Sequence, residues 1–276
     1  MSTIITIPTI PTMEERQRQK QEVLLTRKAL CLQALKKLPR GRLSMSMKNN
    51  RPYFTVFLNG HSEYLRVGDP RIQQLQDRYL VEQTLKAIDS QIQLFESGSS
   101  KHITFDPNEL VPSFPPVYRN PSTAVFKAIG FQDARVWASE PFQSCDKHQE
   151  NLKITTDNGA KVRSRVEAFI LSVYADAGIP VRYEELLILP SGERVYPDVH
   201  PLIPGVLREK RHEHCGLMGD PRYVEKEFLW KHQHYSQCGL IPGRDVLFTF
   251  DYTGGELDYP LLREQILNWI EFCRNE

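Results

Sequence analysis

Apolar positions near the start of the chain recur at helical spacing. From Met13 to Leu38 no Gly or Pro interrupts, and Val23, Leu24, Ala29, Leu30 and Leu35 follow a rough 3.6 period. One helix is expected there, ended by Pro39 and Gly41. The period then drops to two. Leu43-Ser-Met-Ser-Met47 alternates, Tyr53–Leu58 is a run of strand formers, and Glu63–Val67 follows. Lys48–Pro52 reads as a turn, and Asn59-Gly60 is a strong two-residue hairpin signal, so three antiparallel strands are expected. Asp69-Pro70 opens a second helix to about Phe95, with Ile72, Leu75, Tyr79, Leu80, Leu85 and Ile88 along it. Residues 1–12, with Pro8 and Pro11, read as an extended tail.

Periodicity fades over residues 97–160. Gly98-Ser-Ser, Pro107, Pro112, Pro115-Pro116 and Pro121 suggest a connector with little regular structure. A second domain is expected from Lys161. Val162–Ala177 carries an apolar stripe of Val166, Phe169, Ile170 and Val173, stopped by Gly178 and Pro180. Strands are expected over Tyr183–Leu189, Arg194–Leu202 and Val206–Cys215, punctuated by Pro190–Glu193 and Pro204-Gly205. A helix follows from Gly219-Asp220-Pro221 to about Gln237. Then come an apolar strand over Asp245–Phe250 and a last helix from Pro260 to Cys273. The fold class is thus α+β. A helix–β-hairpin–helix unit (13–96) and a connector (97–160) lead to a domain (161–276) whose core order is αβββαβ.

Composition narrows the function classes. Lys+Arg is 35 and Asp+Glu is 34 in 276 residues, a net charge of +1. A globally basic nucleic-acid binder is excluded, and any such binding needs a local patch. One candidate is the stretch Glu14–Arg42, with nine Lys/Arg against three Glu; a solvated helical face is the plainer reading. No apolar run is long enough to span a membrane, and Met1–Pro8 is not a secretory signal. Five scattered cysteines without a CxxC pair suit reduced thiols in the cytoplasm.

The candidate chemistry lies in three acids. Glu167 falls on the helix, Asp198 in the second strand and Glu213 near the end of the third. Carboxylates from adjacent strands and a packing helix can converge, and their mutual repulsion then calls for a cation. Hard oxygen ligands select Mg²⁺ or Mn²⁺. Such an ion can polarise a phosphodiester and acidify a water that attacks phosphorus. His212-x-His214 with Cys215, and His232-x-His234 with Cys238, offer a rival zinc set, though at no familiar finger spacing. Phosphate-loop, dinucleotide and nucleophile-elbow motifs are absent.

Ser164-Arg-Val-Glu167, Tyr196-Pro-Asp198 and Glu213-His214, in that order, resemble the PD-(D/E)XK, restriction-endonuclease-like phosphodiesterase core. More narrowly, residues 35–252 resemble a largely uncharacterised protein family of Firmicutes bacteria and their mobile elements. Leu38–Leu43, Val162–Glu167, Tyr196–Asp198, His212–Pro221 and Tyr235–Gly243 carry that likeness. The resemblance implies a small mixed sheet and a Mg²⁺- or Mn²⁺-dependent deoxyribonuclease acting on DNA. Asp198 and Glu213 would be metal ligands, and Glu167 an accessory ligand or the group that orients a water. Related nucleases dimerise to cut both strands, so a homodimer is a partner the resemblance allows. The family places a lysine two residues after the third acid, where this chain has Cys215. Lys231, on the next helix, is the candidate replacement, and Gln233 and Tyr235 lie near it in sequence. His214 adjoins the acid, but strand alternation turns it to the other face. Loss of that lysine also fits a catalytically inactive nucleic-acid-binding or regulatory module on the same fold. A partner-binding role for the 13–96 unit is the third reading.

Overall fold

The computed structural model describes residues 12–99, 101–206, 208–251 and 257–274. The expected tail, apart from Thr12, lies outside them. The chain divides into two compact units, residues 12–136 and the part from Trp137 to Glu276. Among the described residues, no helix is long and apolar enough to cross a membrane.

In the first unit, α1 (Met13–Leu35) starts on a reciprocal capping box between Thr12 and Glu15. Strands β1 (Arg42–Lys48), β2 (Arg51–Leu58) and β3 (His61–Leu65) form an antiparallel meander in that order. Both connections are two-residue turns with positive φ throughout: 51° and 58° at Asn49-Asn50, 50° and 79° at Asn59-Gly60. Asn and Gly tolerate that region, and the resulting turn matches the strand twist. Asp69 caps α2 (Pro70–Glu96), which buries Ile72, Leu75, Leu80, Val81, Ile88 and Ile92. Gly41 bends the chain into β1 at φ 142°, where a Cβ would sit 2.8 Å from the Val56 side chain.

The Pro-rich stretch differs from expectation. It is built into the folded units, with short helices α3 (Pro107–Leu110), α4 (Thr123–Ala128) and α5 (Ala134–Trp137). Phe105, Phe114, Tyr118, Phe126, Ile129 and Phe131 are buried. Tyr118 stacks on Tyr79 at 4.0 Å, and Asp77 accepts hydrogen bonds from the Ser122 N–H and hydroxyl at 2.7 and 2.8 Å. The prolines fix turns, while the aromatic residues between them supply apolar area without any period.

The second unit begins with a small hairpin, β4 (Ile154–Thr155) and β5 (Lys161–Val162), and then α6 (Arg165–Asp176). Strand β6 (Val181–Tyr183) is followed by a hairpin of β7 (Leu187–Ile188) and β8 (Arg194–Val195), then β9 (Val199–Pro201) and β10 (Arg211–Cys215). Helix α7 (Pro221–Tyr223) runs through a π-helical turn, Val224–Phe228, into α8 (Leu229–Gln237). Strand β11 (Val246–Phe250) and α9 (Tyr259–Arg274) complete the chain. The main sheet has the order β6-β9-β10-β11. Its first three strands are antiparallel, and β11 lies parallel to β10, so the connection through α8 is a crossover. Helices α6 and α9 cover one face through Ile170, Val173, Tyr174, Ile266, Trp269 and Ile270, with Leu247 turned toward them. Tyr235 and Trp230 of α8 pack on the other face, against Val246 and Phe248.

Two of the expected long strands are broken. Tyr183–Leu189 splits at Glu184, whose φ is 48°. Arg194–Leu202 splits at Tyr196-Pro197-Asp198, where Pro197 has no N–H to donate to a ladder. The pieces between the breaks form the β7–β8 hairpin, which leaves the main sheet. The third expected strand, Val206–Cys215, is reduced to Arg211–Cys215.

Candidate functional site

The charged run Lys210-Arg-His-Glu213 suggests an exposed edge strand. The structure buries it: each of these four residues is 3% exposed or less. β10 is an interior strand, paired on both sides. Alternation sends Arg211, Glu213 and Cys215 toward α8, and His212 and His214 toward α6 and α9.

Buried carboxylates need partners, and Glu213 has two, both from α8. Its Oε2 accepts from Lys231 Nζ at 2.7 Å, and its Oε1 from the Tyr235 hydroxyl at 2.5 Å. Lys231 and Tyr235 are four residues apart and so share one helical face. Burial works against the ammonium, but the Glu213 and Asp198 carboxylates hold its pKa above the usual lysine range. Burial and Glu213 raise the Tyr235 pKa well above the ordinary phenol value, so it remains a donor.

Asp198 stands immediately before β9. Pairing of Val199 with His212 brings it alongside Glu213 across the β9–β10 ladder. Its Oδ2 accepts the His214 backbone N–H at 2.7 Å, and its carbonyl accepts the Glu184 N–H at 3.1 Å. Burial, and then the Glu213 charge, push the Asp198 carboxyl well above the usual range, with Lys231 pulling the other way. Asp198, Glu213 and Lys231 therefore form one electrostatic cluster at the end of the sheet where β9 begins.

Glu167 is the third residue of α6 and closes a capping box with Ser164. Its Oε2 accepts the Arg163 and Ser164 N–H groups at 2.8 and 3.1 Å and the Tyr183 hydroxyl at 2.7 Å. Its charge is felt at both Asp198 and His214. Glu167 Oε1 and Asp198 Oδ1 have no hydrogen-bond partner among the described residues. The three acids thus share one field, but they are not drawn onto a common point. Among the described residues, no three His, Cys, Asp or Glu side chains come together so as to hold an ion. The ammonium of Lys231 is the cation that balances Glu213.

The remaining sequence candidates separate. The His214 ring lies on the opposite face, 3.0 Å from Thr249 Oγ1 and 3.0 Å from Asp251 Oδ1; only its backbone N–H serves Asp198. Cys215 shares the Glu213 face, but burial pushes its thiol up to about 12, so it supplies no charge in the position of the family's lysine. The zinc alternative disperses: His212 bonds Tyr174 and Thr249 at 3.1 and 2.9 Å, His232 packs on Phe228, and His234 stacks on Trp230. His200 bonds Glu185 and meets Trp137 edge-on.

Tyr183, which anchors Glu167, carries no sequence signal beyond its place on a strand. Tyr223 near Cys215 and the Thr249–Asp251 support of His214 are equally silent. The four-residue spacing of Lys231 and Tyr235 is legible, but only the fold shows that both reach Glu213. No family model, curated protein or solved structure matches the chain.

Proposed function

We propose that the second unit is a restriction-endonuclease-like domain of the PD-(D/E)XK type, acting as a metal-dependent phosphodiesterase on DNA. The observation that carries this is Lys231 Nζ 2.7 Å from Glu213, within the field of Asp198. Two acids and an ammonium meet at one sheet end although the strand lysine is missing. The crossover that sets β11 beside β10 supports the same reading, and five cysteines in no disulfide bond suit a reducing, cytoplasmic setting.

The donor chemistry fits a hard dication. The free Asp198 Oδ1 and Glu167 Oε1 are hard oxygen donors; burial, and then the Glu213 charge, raise the Asp198 pKa. The three acids do not converge on one point as they stand; with Asp198 and Glu213 as ligands and Glu167 as accessory, a Mg²⁺ or Mn²⁺ ion would supply charge neutralisation and Lewis-acid polarisation at phosphorus. The residues do the rest. The His214 N–H aims Asp198, and Tyr235 fixes Glu213. Lys231 places a permanent positive charge where the phosphoryl oxygens gain charge. A DNA-binding or regulatory module without turnover is the second reading. Full engagement of both Glu213 oxygens and the neutral thiol of Cys215 favour it.

Incubation of the full chain with plasmid and single-stranded DNA in Mg²⁺ or Mn²⁺ tests both. The phosphodiesterase reading expects cleavage that Asp198→Asn abolishes and Lys231→Met lowers by roughly a hundredfold or more. Cleavage retained by Asp198→Asn would sink it. Salt-sensitive DNA binding without any cleavage supports the second reading.

A further inference from the structure

The first unit carries a surface that neither the carboxylate site nor the basic helix α1 accounts for. The register of the three-stranded sheet pairs Arg42 with Phe57, Lys48 with Arg51 and Thr55 with Tyr64. Period-two alternation therefore places Arg42, Lys48, Arg51, Tyr53, Phe57 and Tyr64 on one face. This is the face turned away from α2, because Val56, on the opposite side, meets Leu75 of α2 around Gly41. Every other position of that face within the strands is Ser or Thr, and none is acidic. The acid on β3, Glu63, lies on the α2 side and is held by Arg71 through two bonds of 2.8 and 2.9 Å.

The face is open. Tyr64 is 52% exposed and Phe57 38%, and Arg42, Lys48 and Arg51 are exposed. The rings of Tyr53 and Tyr64 lie 5.6 Å apart, and the Arg42 guanidinium sits 4.7 Å over Phe57. Among the described residues, no carboxylate lies within ion-pair distance of Arg42, Lys48 or Arg51. Lys48 and Arg51 stand directly opposite each other, a like-charge pairing that costs stability unless an anion lies over it.

We infer that this sheet face binds single-stranded nucleic acid, with Tyr53, Phe57 and Tyr64 stacking on unpaired bases and Arg42, Lys48 and Arg51 contacting phosphates. Charge complementarity selects a polyanion. The exposed rings select single strands, since the base faces in a duplex are already stacked on one another. The inference stands independently of the phosphodiesterase reading, because the six residues belong to the other unit.

The test is fluorescence anisotropy with labelled oligo-dT, oligo-rU and a duplex of equal length, in low salt. The protein is full-length Asp198→Asn in EDTA, so cleavage cannot contribute. Binding to one or both single strands, more tightly than to the duplex, is expected. Tyr64→Ala should weaken it about fivefold to a hundredfold, the range for loss of one stacked base, while Tyr64→Phe keeps it. Lys48→Glu with Arg51→Glu should weaken it further and flatten its salt dependence. Circular dichroism checks that these exposed substitutions leave the fold intact. Absence of binding, equal affinity for duplex, or indifference to both sets of substitutions would overturn the inference; a preference between dT and rU assigns the single strand to DNA or RNA.

Discussion

Lys231 is attached to two opposite demands. Its ammonium leaves water to reach Glu213, and Glu213, 1% exposed, has no other cation within bonding distance among the described residues. Removing one partner of a buried pair strands the other charge, which costs about 3 kcal/mol or more. Lys231→Ala is therefore expected to lower the thermal midpoint by several degrees. If the acids hold a dication, Mn²⁺ should recover more of that loss in Lys231→Ala than it adds to the parent protein. Thermal melts with and without Mn²⁺ measure this, and equal Mn²⁺ effects in both would count against the site. His212 carries a second residue-scale prediction. It is buried and neutral between the Tyr174 hydroxyl and Thr249, and burial, with some contribution from His214, lowers its pKa to about 3. The unfolded chain then binds a proton near pH 6.5 that the fold refuses. Stability is thus lost as pH falls from about 6.5 toward 3 and is fully present above that window. Asp198, with its raised pKa, works in the opposite sense. In His212→Gln the acid-side slope of the melting midpoint should become shallower.

At the scale of elements, Glu167 serves the first turn of α6 and the acid cluster at once. Gln can occupy the same capping-box position, whereas Ala cannot. Glu167→Gln is expected to keep the helix cap, changing stability little, while reducing metal affinity in calorimetric titration with Mn²⁺. Ser164→Ala should do the reverse, costing about 1 kcal/mol of stability with metal affinity nearly unchanged. If both substitutions affect stability alone, Glu167 is a capping residue and nothing more. The short strands have their own logic. Glu184 at φ 48° ends β6 and lets its carboxylate clamp Arg163 through bonds of 2.6 and 2.9 Å. Pro197 ends the next excursion just before Asp198. Each break falls at a carboxylate residue, Glu184 in one and Asp198 in the other.

For the whole molecule, a net charge of +1 leaves no long-range field to gather a polyanion. Affinity for nucleic acid then rests on local groups alone. With the three cations of the sheet face as the main phosphate contacts, log Kd for a single strand should change with log salt at a slope of about 2, using roughly 0.7 per contact. A much steeper dependence would mean that further cations, such as those of α1, join the contact.

Sequence patterning by itself determined much of this molecule. Helices α1, α2, α6, α8 and α9 and the three-stranded meander follow from period, caps and Asn-rich turns, because those signals act between residues close in the chain. The order of Glu167, Asp198 and Glu213 was equally legible. Tertiary structure decided the rest. It decided that the charged run at Lys210–Glu213 is interior, that the Pro-rich stretch is packed, and that Lys231 and Tyr235 both meet Glu213. These outcomes depend on which strands flank β10 and which helix crosses over it. Strand pairing of that kind joins residues distant in sequence, and no local period encodes it.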